Sequence, residues 1–487
     1  MRCGFGYGFS GTDALPVRIN MNWDVNKRKT GGRTMAENKM GTTPVNRLLI
    51  GMSLPMMISM LVQALYNIVD SIFVARISEN ALTAVSLAFP IQALIIAVSA
   101  GTCVGMNALL SRSLGEKNQA AANITAENGI FLAGCGAIVF ALIGLFGAKA
   151  YFHSQTPTLE VAQMGTTYLR ICLVLSVGIF AEMCFERIMQ ATGRTLLSMV
   201  TQLSGAITNI ILDPIMIFGL FGFPKLGIAG AAYATVCGQF VAGIMAIIIN
   251  HRKNPDVQIS WKDFHPDLRT IRTIYAVGVP SIIMQAIVSV MTFFMNRILI
   301  TFSETAVSVL GVYFKLQSFI FMPVFGLNNG FIPIVAYNYG AGNKKRIMQT
   351  YRAGVVIAVI IMFAGLLIFQ LKTADLLLLF NASDQMLEIG VPALRTISLS
   401  FTFAGYAIVT GSMFQALGNG VYSLIVSVAR QLFCLVPAAW ILARMFGLDA
   451  VWYSFAIAEI VSVIMTTILM IRIYRKKILN LKLRGTK

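Results

Sequence analysis

A gap-free shift of 225 positions lays one half of this chain on the other, and no other feature narrows its possible folds so far. The shift pairs Pro55 with Pro280, Glu79 with Glu304, Gln92 with Gln317, Gly115 with Gly340, Asn118 with Asn343 and Arg170 with Arg395. It also pairs the MQATG from Met189 with the FQALG from Phe414. A register kept over that distance marks a duplicated unit. Each copy is a run of long apolar segments. From Arg47 onward twelve are readable, near 47–75, 83–111, 126–150, 165–190, 196–220, 227–250, 272–301, 306–338, 351–372, 391–416, 422–443 and 448–472. A helix needs about 20 apolar residues to cross a bilayer. With 57% hydrophobic and 12% charged residues, the expected fold class is an all-α polytopic membrane protein. It has twelve transmembrane helices in two six-helix lobes. Because each half holds an even number of spans, both enter the membrane from the same side. The pseudo-twofold axis should therefore run along the membrane normal, leaving a cleft between the lobes.

The loops set the orientation. Alternate loops carry Arg112 and Lys117, Arg194, the group Arg252, Lys253, Lys262 and Arg269, then Lys344, Lys345, Arg346 and Arg352. The intervening loops are sparse in cations, so both termini are expected in the cytoplasm. Residues 41–250 read as a first lobe, 251–271 as a cytoplasmic linker, 272–475 as a second lobe and 476–487 as a basic tail. Residues 1–40 are polar and Gly-rich with no apolar core, and are expected to be a disordered tail or a mis-assigned start, with Met35 and Met40 as alternatives to Met1. The net charge of +18 follows this loop distribution and forms no aromatic-interleaved groove, which excludes nucleic acid as a partner. The seven Cys form no C-x-x-C pair and read as core residues. The three His fall in loops, and no catalytic spacing appears, so the chain is not read as an enzyme.

Ionisable residues within the spans mark the functional region, since a charge at mid-membrane costs roughly 2.5–3.5 kcal/mol on insertion scales. Asp70 lies in the first span, and Ser59, Gln63, Asn67 and Asp70 share one helical face. Glu182 and Glu186 stand one turn apart in the fourth span, and Asp213 follows Asn209 by one turn in the fifth, directly before Pro214. Proline removes a backbone donor and loosens the helix there. Asp70, Asn209 and Asp213 would make a compact oxygen-rich set suited to a proton or Na⁺. An interfacial ion pair with Arg187 is the competing reading of Glu186. The second half lacks these acids: Met295, Ala407 and Gly411 stand where Asp70, Glu182 and Glu186 do. Glu459, which stands where Gln239 does in the last span of each half once the offset there is 220 rather than 225 (459 − 239), reads equally well as a helix-packing hydrogen bond. Gly101 and Gly105, with their counterparts Gly326 and Gly330, form G-x-x-x-G pairs expected to pack helices closely.

Several stretches resemble one transporter family: LYNIVDSIFVAR in the first span, NIILDPIMIFG in the fifth, GIAGAAYAT opening the sixth and IVAYNYGAGN closing the eighth. Together they are similar to the multidrug and toxic compound extrusion (MATE) transporters, nearest to the bacterial branch that includes the MepA and DinF exporters. The resemblance runs from about Arg47 to Arg475. It implies export of cationic amphipathic drugs and dyes in exchange for H⁺ or Na⁺, without a cofactor, by a lipid-embedded protein expected to be a monomer. By position it assigns ion coupling to Asp70, Asn209, Asp213 and Thr235, and helix bending to Pro55. Gln63, Asn67, Glu182, Glu186 and Gln285 are the residues expected at the substrate cleft. The NorM-like branch carries carboxylates in its seventh and tenth helices; this chain has none over Ser281 to Thr301 or Pro392 to Ala416, which argues against a second-lobe cation site of that kind. The alternative is a flippase for a lipid-linked saccharide, whose anionic pyrophosphate would draw on Arg297, Lys315 and Arg430.

Overall fold

The computed structural model describes residues 38–260, 262, 264–380 and 382–481. The expectations for residues 1–37, including a start at Met35, and for the end of the basic tail lie outside the described residues. Every regular element among the described residues is helical. Ten helices are long and apolar enough to cross a membrane, and two more spans are bent pairs. The spans are α1 (Val45–Ala75), α2 (Glu79–Gly115), α3 (Gln119–Gln155), α4 (Leu159–Val174 with Val177–Ala191), α5 (Thr195–Phe218), α6 (Ile228–Lys253), α7 (Leu268–Leu299), α8 (Glu304–Gly340), α9 (Lys344–Leu371), α10 (Asp384–Ser398 with Phe401–Ala416), α11 (Gly420–Phe446) and α12 (Leu448–Ile478).

The duplicated sequence writes duplicated boundaries. Ser78 and Ser303 cap α2 and α8 by accepting from Ala81 N and Ala306 N, both at 3.1 Å. Asn118 and Asn343 do the same for α3 and α9, accepting from Ala121 N at 3.0 Å and Arg346 N at 3.1 Å. Each satisfies a donor that the first helical turn leaves unpaired. The MQATG and FQALG motifs end α4 and α10, where Gly193 (φ 83°) and Gly418 (φ 74°) take the left-handed conformation that stops a helix. Just as symmetric, and unread in the sequence, are the breaks at Leu175–Ser176 and Leu399–Ser400, which bend α4 by 44° and α10 by 48°.

The lobes meet through glycine, and they do so in reciprocal pairs. A Cβ on Gly115 would lie 1.9 Å from Tyr337 O, and one on Gly340 would lie 2.1 Å from Arg112 O. The 225-residue shift converts the first contact into the second, so the pseudo-twofold axis passes between these helix ends. Gly101 and Gly105 face the first half of α7, 3.0 Å from Gly278 O and 2.1 Å from Ile274 O by the same measure. Gly326 and Gly330 face the first half of α1, at Met57 Cα (2.5 Å) and Ser53 N (2.9 Å). Small residues let these backbones approach. Each lobe's leading helix thus leans on the other lobe for its first half. The side-chain bonds between lobes cluster at the same end: Ser53 Oγ donates to Leu327 O (3.2 Å), and Arg187 Nη1 to Asn329 Oδ1 (2.7 Å). Among the described residues no side-chain hydrogen bond or close glycine contact joins the lobes at the opposite end. The cleft is closed where α1 starts and α12 finishes.

The tail and the linker differ from expectation, and the third and tenth spans begin earlier than expected, at Gln119 and Asp384. Asn38 to Met40, read as part of a disordered tail, are ordered, with a helical turn over Lys39–Thr42. Asn38 Oδ1 accepts from Met40 N (3.0 Å), and Met40 is fully buried. The linker proper spans residues 254–267 and is pinned to one face of α3. Asn123, Glu127 and Asn128 accept from the backbone of Gln258, Ser260 and Asp267 at 2.9, 3.1 and 2.9 Å.

Candidate functional site

Inside the first lobe, among α1, α2, α4, α5 and α6, lies a cavity with about 80 Å³ of room for water centres. That is space for several waters or a hydrated ion. Its walls are polar to a degree uncommon at membrane depth. Ser59, Gln63 and Tyr66 come from α1, Glu182 from α4, Gln202 and Asn209 from α5, and Thr235 and Gln239 from α6. Ser59 Oγ donates to Gln202 Oε1, fixing α1 to α5 at the cavity floor.

At one margin the four residues assigned to ion coupling come together. Asp70 of α1 stands close enough to Asp213 of α5 for their charges to interact. Asp213 is fully buried and Asn209 nearly so. With its amide oriented to suit its neighbours, Asn209 donates to Asp213 Oδ2 and accepts from Thr235 N, both at 3.2 Å. One Asp70 oxygen is buried with no donor. Two bare carboxylates this close repel, and a shared proton or a bound monovalent cation removes the repulsion. No resident cation does so. The ion pairs among the described residues are Arg112–Glu116, Arg194–Asp256, Lys372–Asp375 and Arg430–Glu459, and Asp70, Glu182, Glu186 and Asp213 enter none of them. Nor do the described residues hold a group of three His, Cys, Asp or Glu suited to a transition metal.

The other expected residues divide. Gln63 and Glu182 line the cavity. Asn67 does not; it is exposed, because at 100° per residue it lies beyond the arc that holds Gln63 and Asp70. Tyr66 lines the cavity instead; at 100° per residue it lies beside Ser59, on the side of the stripe away from Asn67, and polarity alone passes over it. Glu186 is buried behind the cavity and accepts from Thr201 Oγ1 at 3.0 Å. Its neighbour Arg187 turns away to Gln190 Oε1 (3.1 Å) and Asn329 Oδ1 (2.7 Å). Thus the interfacial Glu186–Arg187 ion pair is not formed, since adjacent residues of a helix do not face each other. Gln285 is exposed on α7, away from the cavity. Pro55 sits within an unbroken α1, inside the stretch from Ser53 to Met57 that leans on α8 and one turn before Ser59, which is bonded to α5.

In the second lobe, Met295 takes the place of Asp70 and is fully buried. Arg430, carried on a seven-residue π-helical stretch of α11 (Ala429–Leu435), donates to Glu459 of α12. Arg297 lies over the Phe293 ring at 5.7 Å and Lys315 over Phe380 at 5.9 Å, and both are exposed.

Comparison with known proteins agrees with this geometry. The MatE family model matches twice, over residues 55–215 and 280–441, the same register as the internal repeat. The multidrug export protein MepA of Staphylococcus haemolyticus (strain JCSC1435) is 28% identical over 410 residues, covering 84% of this chain and 89% of that protein. MepA of Staphylococcus aureus (strain bovine RF122 / ET3-1) is 26% identical over 423 residues, covering 86% and 91%. A solved structure described as the outward-facing conformation of a multidrug resistance MATE family transporter of the MOP superfamily superposes with a TM-score of 0.86. It is 27% identical and covers 91% of this chain and 99% of its own.

Proposed function

The chain belongs to the MatE family, and from that premise we propose that it exports cationic, amphipathic drugs and dyes by alternating access in exchange for H⁺ or Na⁺. The observation that carries this reading is Asp70, one oxygen of it buried without a donor, beside the fully buried Asp213, with neither acid in an ion pair among the described residues. α1 is held on the second lobe by its first half and meets α5 of the first lobe with its second. A proton or Na⁺ between the two carboxylates, supported by Asn209 and Thr235, ties that second half to α5. Losing the ion sets the carboxylates against each other and loosens it. Pro55, lacking a backbone donor, supplies a weak point one turn before the Ser59–Gln202 bond. Occupancy of the site then biases the lobes because the ion binds the two states with different affinity.

The same acids attract cationic substrates. Glu182 and Gln63 meet them from the cavity, and Asn67 and Gln285 are assigned to the wider cleft. Residues 41–250 and 272–475 serve as the two lobes of a monomer in a bacterial inner membrane, with both termini cytoplasmic and no cofactor. A flippase for an anionic lipid-linked saccharide is less well served, since Arg430 is already engaged by Glu459. The test is uptake of a cationic dye into proteoliposomes under an imposed pH gradient and, separately, under an imposed Na⁺ gradient. One of the two should drive accumulation. A protein that accumulates dye under neither gradient is not the exporter proposed.

A further inference from the structure

Residues 38–44 cross the closed mouth between the lobes and are bonded to both. On the second lobe, Arg346 Nη2 donates to Met40 O (3.0 Å) and Thr43 O (2.7 Å), and Asn338 Nδ2 donates to Met40 O (3.2 Å). A Cβ on Gly41 would lie 3.2 Å from the Tyr337 ring. On the first lobe the grip is lighter. Asn38 Nδ2 donates to Thr192 O (3.2 Å), and the Lys39 chain lies over Gly193, whose added Cβ would stand 3.1 Å from Lys39 Cε. Lys39 also stands near the Arg194–Asp256 pair; burial, then Arg194, push its pKa below the ordinary lysine value, against a smaller opposing pull from Asp256. Beneath the segment Met40 is fully buried and Thr192 nearly so.

We propose that residues 38–44 are a latch: seated, they tie the two lobes at the closed mouth, and the mouth opens only when the latch releases the first lobe while staying on the second. The inference rests on the alternating-access reading. Its asymmetry follows from the bonds. Two charge-assisted donations from a guanidinium and one from an amide hold the second lobe, and charge-assisted bonds are roughly twice as strong as neutral ones. A single neutral amide donation holds the first. The segment also continues into the half of α1 that leans on α8, so moving with the second lobe requires no rearrangement of Pro44.

The latch is tested by tethering it. In a full-length chain with its native cysteines replaced, Asn38→Cys and Thr192→Cys are bridged by a short bis-methanethiosulfonate, which a reductant removes. Gradient-driven dye transport should fall to background when the bridge forms and return on reduction. Transport by the reduced sample shows that the exporter reading stands, whatever the bridge does. Undiminished transport with the bridge in place would overturn the latch. A second measurement needs no transport. Thr192→Cys should react with an impermeant maleimide about fivefold faster when Asn38→Ala removes the donation that holds the first lobe, the shift expected from losing one neutral hydrogen bond. Equal rates in a folded Asn38→Ala protein would overturn the latch.

Discussion

The two lobes share a backbone plan down to their helix caps, yet they treat buried charge in opposite ways. The first lobe buries Asp213 and Glu186, sets Glu182 in a cavity wall and Asp70 beside Asp213, and among the described residues none of the four enters an ion pair. The second lobe has Met295, Ala407 and Gly411 at three of those places, and its one buried acid, Glu459, is held by Arg430. A buried charge is tolerated when it is paired and costly when it is not. The unpaired acids are therefore concentrated in one lobe, an asymmetry that fits the proposed exchange of a proton or an ion better than a scaffold role. The difference separates scaffold from site without reference to any substrate.

The largest test of that contrast is Asp70→Asn, which keeps the side chain's shape and removes its charge and titratable proton. Gradient-driven dye transport should be lost at matched protein level while equilibrium dye binding persists. Wild-type transport would make Asp70 as inert as Met295.

The stability of the two lobes should respond in opposite directions. Arg430→Met strands Glu459 and is expected to cost about 3–5 kcal/mol, most of it recovered by adding Glu459→Leu. Asp213→Leu removes an unpaired buried acid and should leave the melting temperature unchanged or higher while abolishing transport. A matching loss of stability in Asp213→Leu would show that the first-lobe acids are structural after all.

A third test asks where the lobes are alike. Gly105→Leu and Gly330→Leu occupy related places in the two cross-lobe contacts, and overpacking of this kind costs about 1–3 kcal/mol. The two variants should lower the melting temperature by similar amounts. A loss in only one would mean that the symmetry of the contacts is not a symmetry of energies.

Much of this was legible before the coordinates. The repeat fixed the lobe count and the axis, because Pro, Gly and Asn at matching positions govern backbone geometry wherever they occur. Asp70, Asn209 and Asp213 were legible because a carboxylate in an apolar run has few bland explanations. The breaks in α4 and α10 were not. They fall at Leu–Ser steps with no proline, and a bend of 44° leaves no mark in hydropathy. The order of Asn38 to Met40 was hidden for another reason: those residues owe it to Arg346 and Asn338, about three hundred positions away in sequence. Asn67 and Tyr66 exchanged places because a stripe read from polarity alone passes over a tyrosine whose ring belongs to the wall.

The crossing of α1 onto α8 also bears on how the chain is made. Ser53 finds its acceptor 274 residues later, at Leu327, so the first helix to leave the ribosome waits in the bilayer while seven others are inserted. Contacts of such long sequence separation form late, and helices that are individually stable in lipid associate afterwards. The first six helices made alone would lack the surface on which α1 rests, and the last six would lack the one on which α7 rests. Severed between α6 and α7, the two fragments should be recovered as a folded pair when synthesised together, and degraded when synthesised apart.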